Sequence, residues 1–315
     1  MKLLVTRPQP APVVAAVRRH FDVVLRPDTL PMTADEMVAA LRDFDAIMPT
    51  LGDRFQAPVF AAVPRSRARI LANFGVGVNH IDVAAARAAG LAVTNTPGAV
   101  TDATADIAML LILATARRAG EGERMLRAGR WDGWHPTQLL GFHVSGKRLG
   151  IIGMGRIGKA VARRAQAGFG MEIMFANRSP VADPGVPARQ VPMGEALAAD
   201  VVVVAVPATP ATHHLIDRAA LALMQPHAYL VNIARGDVVD EAALIAALQA
   251  GQIAGAGLDV YEFEPTVPPE LVAMENVTLL PHLGTASLEV RTDMGMMAVA
   301  NLVAFAEGRP LPNPV

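Results

Sequence analysis

The chain has 315 residues, of which 52% are hydrophobic and 18% are charged, and its formal net charge is -1 at pH 7. This length predicts two domains, and the near-neutral charge argues against partners such as nucleic acid or an anionic membrane surface. The absence of cysteine excludes a disulfide framework, a thiolate zinc site and a cysteine nucleophile.

The N-terminal sequence M-K-L-L-V-T-R-P contains too short an apolar run for a signal peptide. The longest apolar helix-like run, residues 107–116, falls well short of the roughly 20 residues that a membrane span needs. We therefore expect a cytoplasmic protein that acts on a small molecule.

Strand-like and helix-like segments alternate through the first hundred residues. The strands are predicted at 2–6, 23–25, 46–49, 70–74 and 92–94. The helices are predicted around 11–20, 34–42 and 83–89. This alternation predicts a parallel α/β sheet.

A second alternating series follows a long apolar helix predicted over 101–118. Its strands are predicted at 149–152, 172–176, 201–206, 228–232, 255–259 and 277–280. Six strands with intervening helices match one doubly wound nucleotide-binding domain. A last long helix is predicted over 287–307.

The first series alone is short for a domain, so we expect the last helix to complete it. Residues 1–98 and 286–315 would then form a discontinuous substrate-binding domain, and residues 99–285 the dinucleotide-binding domain. The predicted fold is α/β with two Rossmann-like domains, in which a doubly wound parallel-sheet domain is inserted in a smaller, flavodoxin-like one.

A glycine-rich turn, G-M-G-R-I-G, follows the first strand of the second series with the spacing G-x-G-x-x-G. The first glycine makes a tight turn, the second lets the backbone approach a pyrophosphate, and the third lets helix and strand pack closely. The N-terminal amides of the next helix, predicted over 157–167, point at that pyrophosphate. Such turns also occur for structural reasons alone, but the flanking strand and helix favour dinucleotide binding. The expected cofactor residues here are Gly153, Gly155, Arg156, Ile157 and Gly158.

The next predicted strand ends in Asn177, Arg178 and Ser179, where an NAD site would place an acidic residue on the ribose 2′-hydroxyl. A carboxylate would repel a 2′-phosphate, whereas Arg178 can pair with it and its two neighbours can donate hydrogen bonds. The sequence therefore predicts NADP(H) over NAD(H); the alternative is that Arg178 is a solvated loop charge. Pro207, after the following strand, is assigned to the same site.

Three motifs follow later strands at their carboxyl ends, where open α/β sheets bind ligands. V-N-I-A-R-G-D contains Arg235, whose guanidinium suits a substrate carboxylate. L-D-V-Y-E-F-E-P offers Asp259, Glu262 and Glu264, and L-P-H-L-G offers His282. A histidine backed by a carboxylate can move a proton near neutral pH. Each residue alone could be an ordinary loop residue, but the ordered combination favours catalysis.

An anion site is also possible in the first series, at N-F-G-V-G-V-N-H-I-D. Gly75 and Gly77 flank Val76 after a predicted strand, so successive backbone amides could form a concave nest. The alternative is a plain strand-to-helix turn.

The adjacent His213 and His214 are interpreted as structural residues. Neighbours on a regular element face different ways, whereas a metal-binding pair prefers i, i+4 spacing on a helix. We therefore expect no metal site here.

Taken in order, these motifs resemble those of the D-isomer-specific 2-hydroxyacid dehydrogenases, and most closely those of the NADPH-dependent glyoxylate/hydroxypyruvate reductases. The resemblance covers nearly the whole chain, including V-T-N-T-P-G and W-D-G-W-H-P-T as well as the motifs above. It implies reduction of a small 2-keto acid, such as glyoxylate or hydroxypyruvate, to the D-2-hydroxy acid, with NADPH and without a metal.

The resemblance also implies roles for individual residues. Arg235, Glu264 and His282 would form the catalytic triad, with His282 and Glu264 as the proton-donor pair and Arg235 on the substrate carboxylate. Asp259 would lie near the nicotinamide amide, and the amides of Val76 and Gly77 would hold the carboxylate.

A homodimer is implied as well, in which a tryptophan of the long loop reaches the partner's active site; Trp134 is the expected residue. Leu51, in P-T-L-G-D, is expected to shape the substrate pocket together with this loop.

Two alternatives remain open. The first is another dehydrogenase of the same family, acting on D-lactate, D-glycerate or phosphoglycerate. The second is a nucleotide-sensing co-regulator that uses the same fold without catalysis, against which the complete triad argues.

Overall fold

The computed structural model describes all 315 residues. The chain divides into two compact units, the first comprising Met1–Val100 and Ala286–Val315 and the second Thr101–Thr285. Each unit contains one fully parallel β-sheet covered by helices, so the expected α/β class with two such domains is confirmed.

The sheet of the first unit has five strands: β1 Lys2–Val5, β2 Asp22–Leu25, β3 Ala46–Met48, β4 Ile70–Ala72 and β5 Ala92–Thr94. Their spatial order is β2-β1-β3-β4-β5, which is the flavodoxin-like order. The order reverses between β1 and β3, so the loops that leave these strands border the crevice where open α/β sheets bind ligands.

Helices cover both faces of this sheet: Ala11–His20, Ala34–Asp43, Ala57–Ala61, Val83–Ala88 and Leu288–Ala306. The second of them begins with a capping box, in which Thr33 and Glu36 each accept a hydrogen bond from the other's backbone amide. The last helix begins after Ser287, whose hydroxyl accepts from the amide of Val290.

The sheet of the second unit has seven strands: β6 Arg148–Ile152, β7 Glu172–Ala176, β8 Ala188–Gln190, β9 Val201–Val204, β10 Tyr229–Asn232, β11 Gly255–Leu258 and β12 Val277–Leu279. Their order is β12-β11-β10-β9-β6-β7-β8, the doubly wound order of dinucleotide-binding domains extended by one strand. Six were predicted. The additional strand, β8, is a short, largely exposed edge strand of Ala-Arg-Gln, so it has no apolar run to reveal it.

The helices of this unit are Thr101–Ala116, Ala119–Arg127, Arg156–Phe169, Met193–Leu197, Arg218–Leu221, Glu241–Gln249 and Pro269–Ala273. The single helix predicted over 101–118 ends at Ala116, because Arg118 adopts a left-handed conformation with φ 53° and a second helix starts after it. No helix of the chain combines the length and apolar composition needed to cross a bilayer.

Two apolar layers enclose the seven-stranded sheet. One is formed with the helices that follow β9 and β10, and the other with the buried helix Thr101–Ala116 and the glycine-loop helix Arg156–Phe169. The valines of β9 are all buried, as expected for a central parallel strand. The carboxyl ends of β6, β7, β9, β10, β11 and β12 therefore meet at one edge of a rigid sheet.

Candidate functional site

The glycine-rich turn lies at the topological switch point between β6 and β9. Gly153 has φ 103°, and a Cβ there would lie 2.8 Å from the carbonyl oxygen of Ala205 after β9, so only glycine fits. A Cβ on Gly158 would lie 2.2 Å from the carbonyl oxygen of Gly153, which shows how closely the helix approaches the turn. Gly155, in contrast, is exposed and has open space beyond its Cα.

The helix Arg156–Phe169 begins directly at this open space. No side chain caps its N-terminus at Gly155, and the amides of Arg156 and Ile157 have no acceptor within the helix. An uncapped helix N-terminus beneath an open glycine turn fits the pyrophosphate of a dinucleotide.

The end of β7 is tied to the same turn through Asn177. Its Oδ1 accepts from the amide of Met154 at 3.3 Å, and its Nδ2 donates to the carbonyl of Ser179 at 2.9 Å. The side chain of Asn177 thus holds the loop together, whereas Arg178 is exposed and makes no hydrogen bond or ion pair within the chain. Arg178 therefore has its guanidinium available for a ligand.

Pro207 follows β9 in an exposed loop. Its carbonyl accepts from the hydroxyl of Thr212 at 2.7 Å, and that hydroxyl also accepts from the amide of Thr209. The hydroxyl closes the loop into a compact turn at the same sheet edge as the glycines.

Arg235 lies immediately after β10 in a turn held by Asn232. The Asn232 side chain accepts from the amide of Ala234 and donates to the carbonyl of Arg235. The guanidinium donates to the carbonyl of Ala234 at 2.7 Å, but its Nε is buried without a hydrogen-bond partner. A buried, unpartnered donor on a charged fork fits a planar anion such as a carboxylate.

Gly236 allows the loops after β10 and β11 to touch. A Cβ there would lie only 1.8 Å from the carbonyl carbon of Tyr261, so any other residue would push the loops apart. Burial lowers the pKa of Arg235, and the negative charges of Glu264, Asp237 and Asp259 oppose that effect. The guanidinium remains charged, because an arginine side chain is not deprotonated in proteins.

Glu264 and His282 form a hydrogen-bonded pair. Oε2 of Glu264 lies 2.9 Å from Nδ1 of His282, and Oε1 accepts from the amide of Tyr261 at 3.1 Å. Burial alone would raise the pKa of Glu264, but the hydrogen bond and charge of His282, the Tyr261 amide and Arg235 together lower it. The carboxylate is therefore ionised at neutral pH and accepts from Nδ1–H, which leaves Nε2 as the ring nitrogen without this partner.

The backbone of His282 is held in an uncommon conformation. Its φ is 54°, in the left-handed region that costs a non-glycine residue about 1 kcal/mol or more. The amide of His282 donates to the carbonyl of Asp259 at 3.0 Å, which holds this turn. Such a constraint fixes the direction of the ring.

Asp259 anchors the loop that carries His282. It is buried, and its two carboxylate oxygens accept from the amides of Leu283 at 2.6 Å and Gly284 at 2.8 Å. Burial raises the pKa of Asp259, although the two amide hydrogen bonds and the charge of His282 act to lower it. The family resemblance implied a cofactor role for Asp259, and the structure adds this contact to the histidine loop, which no local pattern reveals.

In the first unit, the loop after β4 presents Val76 and Gly77. Asn73 donates to the carbonyls of Gly75 and Gly77, each at 3.0 Å, and Asn95 donates to the carbonyl of Val76 at 2.9 Å. The three carbonyls are thus tied down, and the amides of Val76 and Gly77 donate to no acceptor in the chain. Two consecutive amides without acceptors are what an anion-binding nest requires.

Leu51 follows β3, next to that nest, because Thr50 pairs with Phe74 beyond the ends of β3 and β4. Its loop is held by Asp53, a fully buried carboxylate that sequence reasoning missed. Asp53 accepts from the hydroxyl of Thr6 at 2.6 Å, from Arg7 at 2.8 Å and from two backbone amides. The side chain of Leu51 remains 37% exposed.

The tryptophan loop of the second unit lies on the surface. Trp131 donates from Nε1 to Gln138 at 3.3 Å, whereas Trp134 is 80% exposed and has no hydrogen bond or ring contact. No contact joins Trp134 to the triad or to the cofactor loops within this chain.

The prediction that His213 and His214 face different ways is wrong. His214 adopts a left-handed conformation with φ 49°, and the two imidazoles stack with ring centroids 4.0 Å apart. Facing apart requires a regular element, whereas these residues occupy an irregular turn. Nε2 of His214 also lies 2.9 Å from Oε1 of Glu262.

Within the second unit, the sheet edge thus gathers a partly buried arginine, a histidine held by an ionised carboxylate, and an open glycine turn. Such a set can bind an acid and a dinucleotide and can move one proton.

The sequence of this chain matches a known protein family and resembles characterised relatives along nearly its whole length. The family described as D-isomer specific 2-hydroxyacid dehydrogenase, NAD binding domain, matches residues 109–284. The glyoxylate reductase of Thermococcus onnurineus (strain NA1) is 44% identical over 99% of this chain and 94% of its own length.

Solved structures of related proteins have the same fold over the whole length of this chain. A protein from Thermus thermophilus has a TM-score of 0.93 and 42% identity, with 100% of both chains covered. An NADPH-dependent glyoxylate/hydroxypyruvate reductase from Sinorhizobium meliloti, in complex with NADP and malonate, has a TM-score of 0.87 and 38% identity, with 100% of this chain and 96% of that chain covered.

Proposed function

This chain belongs to the D-isomer specific 2-hydroxyacid dehydrogenases, a family of oxidoreductases, and on that premise we propose that it is an NADPH-dependent reductase of glyoxylate and hydroxypyruvate. The product is the corresponding 2-hydroxy acid, of D configuration where C2 is chiral. The observation that carries the proposal is Arg235, a partly buried arginine whose Nε is buried and unpartnered, together with the hydrogen-bonded pair of His282 and Glu264.

Arg235 binds the carboxylate of the keto acid. Its Nε is already desolvated and has no partner to give up, so an arriving carboxylate gains a charge-assisted hydrogen bond without displacing another. The positive charge also lies where negative charge develops on the carbonyl oxygen, which lowers the barrier.

His282 donates the proton to the carbonyl oxygen from Nε2. Glu264 accepts from Nδ1, so it fixes the orientation of the ring and the tautomer that carries a proton on Nδ1. After the transfer, Nε2 carries a lone pair and the hydrogen bond at Nδ1 persists, so the same pair can take a proton back in the reverse reaction.

The residues of the glycine turn hold the cofactor, which supplies hydride to the keto carbon when bound. The amides of Arg156 and Ile157 bind the pyrophosphate, with Gly153, Gly155 and Gly158 giving the backbone its close approach. We assign Pro207 and Asp259 to the nicotinamide half, because both lie at the carboxyl ends of strands along the same edge.

The NADPH preference rests on the end of β7. Arg178 and the hydroxyl of Ser179 are exposed and available for a 2′-phosphate, and no carboxylate occupies the position that would bind a free 2′-hydroxyl. Asn177 contributes indirectly, because its side chain holds this loop against the glycine turn.

In the first unit, we propose that the amides of Val76 and Gly77 bind the substrate carboxylate and that Leu51 contacts the remainder of the substrate. The support is local: two unpaired amides in a nest, and a half-exposed apolar side chain on the adjacent loop. A small apolar contact favours short keto acids over charged or bulky ones.

The test is to measure initial rates of NADPH and NADH oxidation with glyoxylate and with hydroxypyruvate. We expect turnover with both acids and a strong preference for NADPH. Preference for NADH would remove the 2′-phosphate assignment and leave the dehydrogenase; no turnover with any 2-keto acid would overturn the function.

We also propose that the protein is a homodimer in which the tryptophan loop meets a second copy. The helix before this loop buries none of its residues. Four large apolar side chains on the helix and the loop are exposed: Leu126, Trp131, Trp134 and Leu140. Light scattering should give twice the chain mass of 33.2 kDa, and Trp134→Ala should weaken association or turnover.

A further inference from the structure

We propose that His213, His214 and Glu262 form a binding site for Zn²⁺ or a similar divalent transition-metal ion, distinct from the triad. A ring nitrogen from each histidine and a carboxylate oxygen of Glu262 all lie within 4.8 Å of one another. Two imidazoles and one carboxylate are a ligand set that Zn²⁺ takes in proteins, with a fourth position left to water.

The left-handed backbone at His214 creates the site. In an extended strand, consecutive side chains point to opposite faces. With φ 49° at His214, the two rings instead stack on the same side, with centroids 4.0 Å apart. The sequence H-H acquires the geometry of a ligand pair only through this turn.

The backbone around the pair is already ordered. The amide of His213 donates to the carbonyl of Thr209 at 3.1 Å, and the amide of His214 donates to the carbonyl of Asp237 at 2.8 Å. Glu262 is held by its own amide, which donates to the buried carboxylate of Glu241. A metal ion therefore needs to reorder only side-chain torsions, which reduces the entropy cost of binding.

The required movement is small. Tetrahedral ligands about 2.1 Å from Zn²⁺ are roughly 3.4 Å apart, and Nε2 of His214 and Oε1 of Glu262 are already 2.9 Å apart. The metal ion would take the position of the hydrogen between these two atoms, with His214 as a neutral ligand that carries its proton on Nδ1, while the exposed ring of His213 tilts inward. Because protons compete for the same nitrogens, acid weakens the binding.

The site would link the loop after β9, which carries Pro207, to the loop after β11, which carries Glu264. Both loops also contact the turn after β10, through the Asp237 carbonyl and the close approach of Gly236 to Tyr261. A bound ion would thus restrain three loops at the sheet edge without touching the triad, and we expect it to raise the melting temperature.

The experiment is a calorimetric titration of the purified protein with ZnCl₂ in a non-chelating buffer at pH 7.5. We expect one Zn²⁺ per chain, a raised Tm, and loss of binding at pH 5.5. His213→Ala should weaken binding by at least about tenfold and abolish the Tm shift. It leaves the His214–Glu262 hydrogen bond intact, because His213 takes no part in that bond.

Two further variants test whether the ion binds at these residues and not at other histidines. Glu262→Gln keeps a hydrogen-bond acceptor for His214 but is a poor metal ligand, so it should also weaken binding. His143→Ala removes an exposed histidine elsewhere and should bind Zn²⁺ as the wild type does. Unchanged affinity in His213→Ala, or no saturable binding by the wild type at millimolar Zn²⁺, would overturn the proposal.

Discussion

Nδ1 of His282 lies 2.9 Å from Oε2 of Glu264, and the two residues reach this contact from the ends of different strands. Glu264 follows β11 and His282 follows β12, and the left-handed turn at His282 points its ring back at the carboxylate. The contact distinguishes the two ring nitrogens, since Nδ1 is bound to the carboxylate and Nε2 is not.

His282→Ala should lower kcat by about 10²-fold or more, which is the usual contribution of a positioned acid. The control is His227→Ala. His227 also contacts a carboxylate, that of Asp200, but it precedes strand β10 and so lies at the opposite edge of the sheet from His282. Steady-state rates with glyoxylate and NADPH check this. Near-normal turnover of the His282 variant would exclude it as the proton donor.

Arg235→Lys should reduce kcat/KM for the keto acid by about 10- to 100-fold, the cost of losing a hydrogen bond between charged groups. Lysine keeps the charge but has no planar fork and no donor at the Nε position. The KM for NADPH should change little, so the effect should be confined to the keto acid. A variant with wild-type kcat/KM would show that the unpartnered Nε does not bind substrate.

Arg178→Ala should raise the KM for NADPH by about 10- to 100-fold while leaving the KM for NADH unchanged, because only NADPH carries the 2′-phosphate. The side chain has no partner in the chain, so the fold should be unaffected. Arg189→Ala is a matched control, since it removes an exposed arginine on the neighbouring edge strand. Equal loss with both cofactors would contradict the assignment.

Gly236→Ala should lower both stability and turnover. Its Cβ would lie 1.8 Å from a backbone carbon of Tyr261, so the loops that position Arg235 and Glu264 must separate, at a cost of about 1–3 kcal/mol or more. Gly168→Ala is the control, because that helical glycine has open space around it and should gain up to about 1 kcal/mol. Thermal melts and initial rates measure both effects, and a Gly236 variant as stable and active as the wild type would disprove the steric argument.

Asp200→Asn should destabilise the protein at neutral pH by about 2 kcal/mol, since the carboxylate loses its ion pair with Arg148 and its hydrogen bond to His227. Burial would raise the pKa of Asp200, but Arg148 and His227 hold it well below its ordinary value. The stabilisation is therefore full above the unfolded-state pKa near 3.9 and is lost as the pH falls below it.

Chemical denaturation at pH 7 and at decreasing pH checks this dependence. The difference between wild type and Asp200→Asn should shrink as the medium becomes acidic. Asp43→Asn, which changes an exposed carboxylate with no hydrogen bond, should show no such dependence. A constant difference at all pH values would exclude the linkage to Asp200.

Most strands could be located from short apolar runs, and β7 and β5 were predicted at the bounds that the structure gives. The edge strand β8 was missed because its residues are polar and exposed, and strand pairing there depends on β7 rather than on its own sequence. The break at Arg118 was missed for a related reason, since a left-handed arginine has no local signature.

By itself, the sequence determined the family, the parallel α/β architecture and the residues that could carry chemistry, because apolar periodicity and glycine spacing are local properties. Only the tertiary structure decided which of those residues meet. The unpartnered Nε of Arg235, the hold of Asp259 on the histidine loop and the stacking of His213 on His214 all depend on loops from different strands or on left-handed turns. Such contacts are set by packing across the sheet edge and by the backbone conformation of individual turns, and neither is visible in the order of the residues.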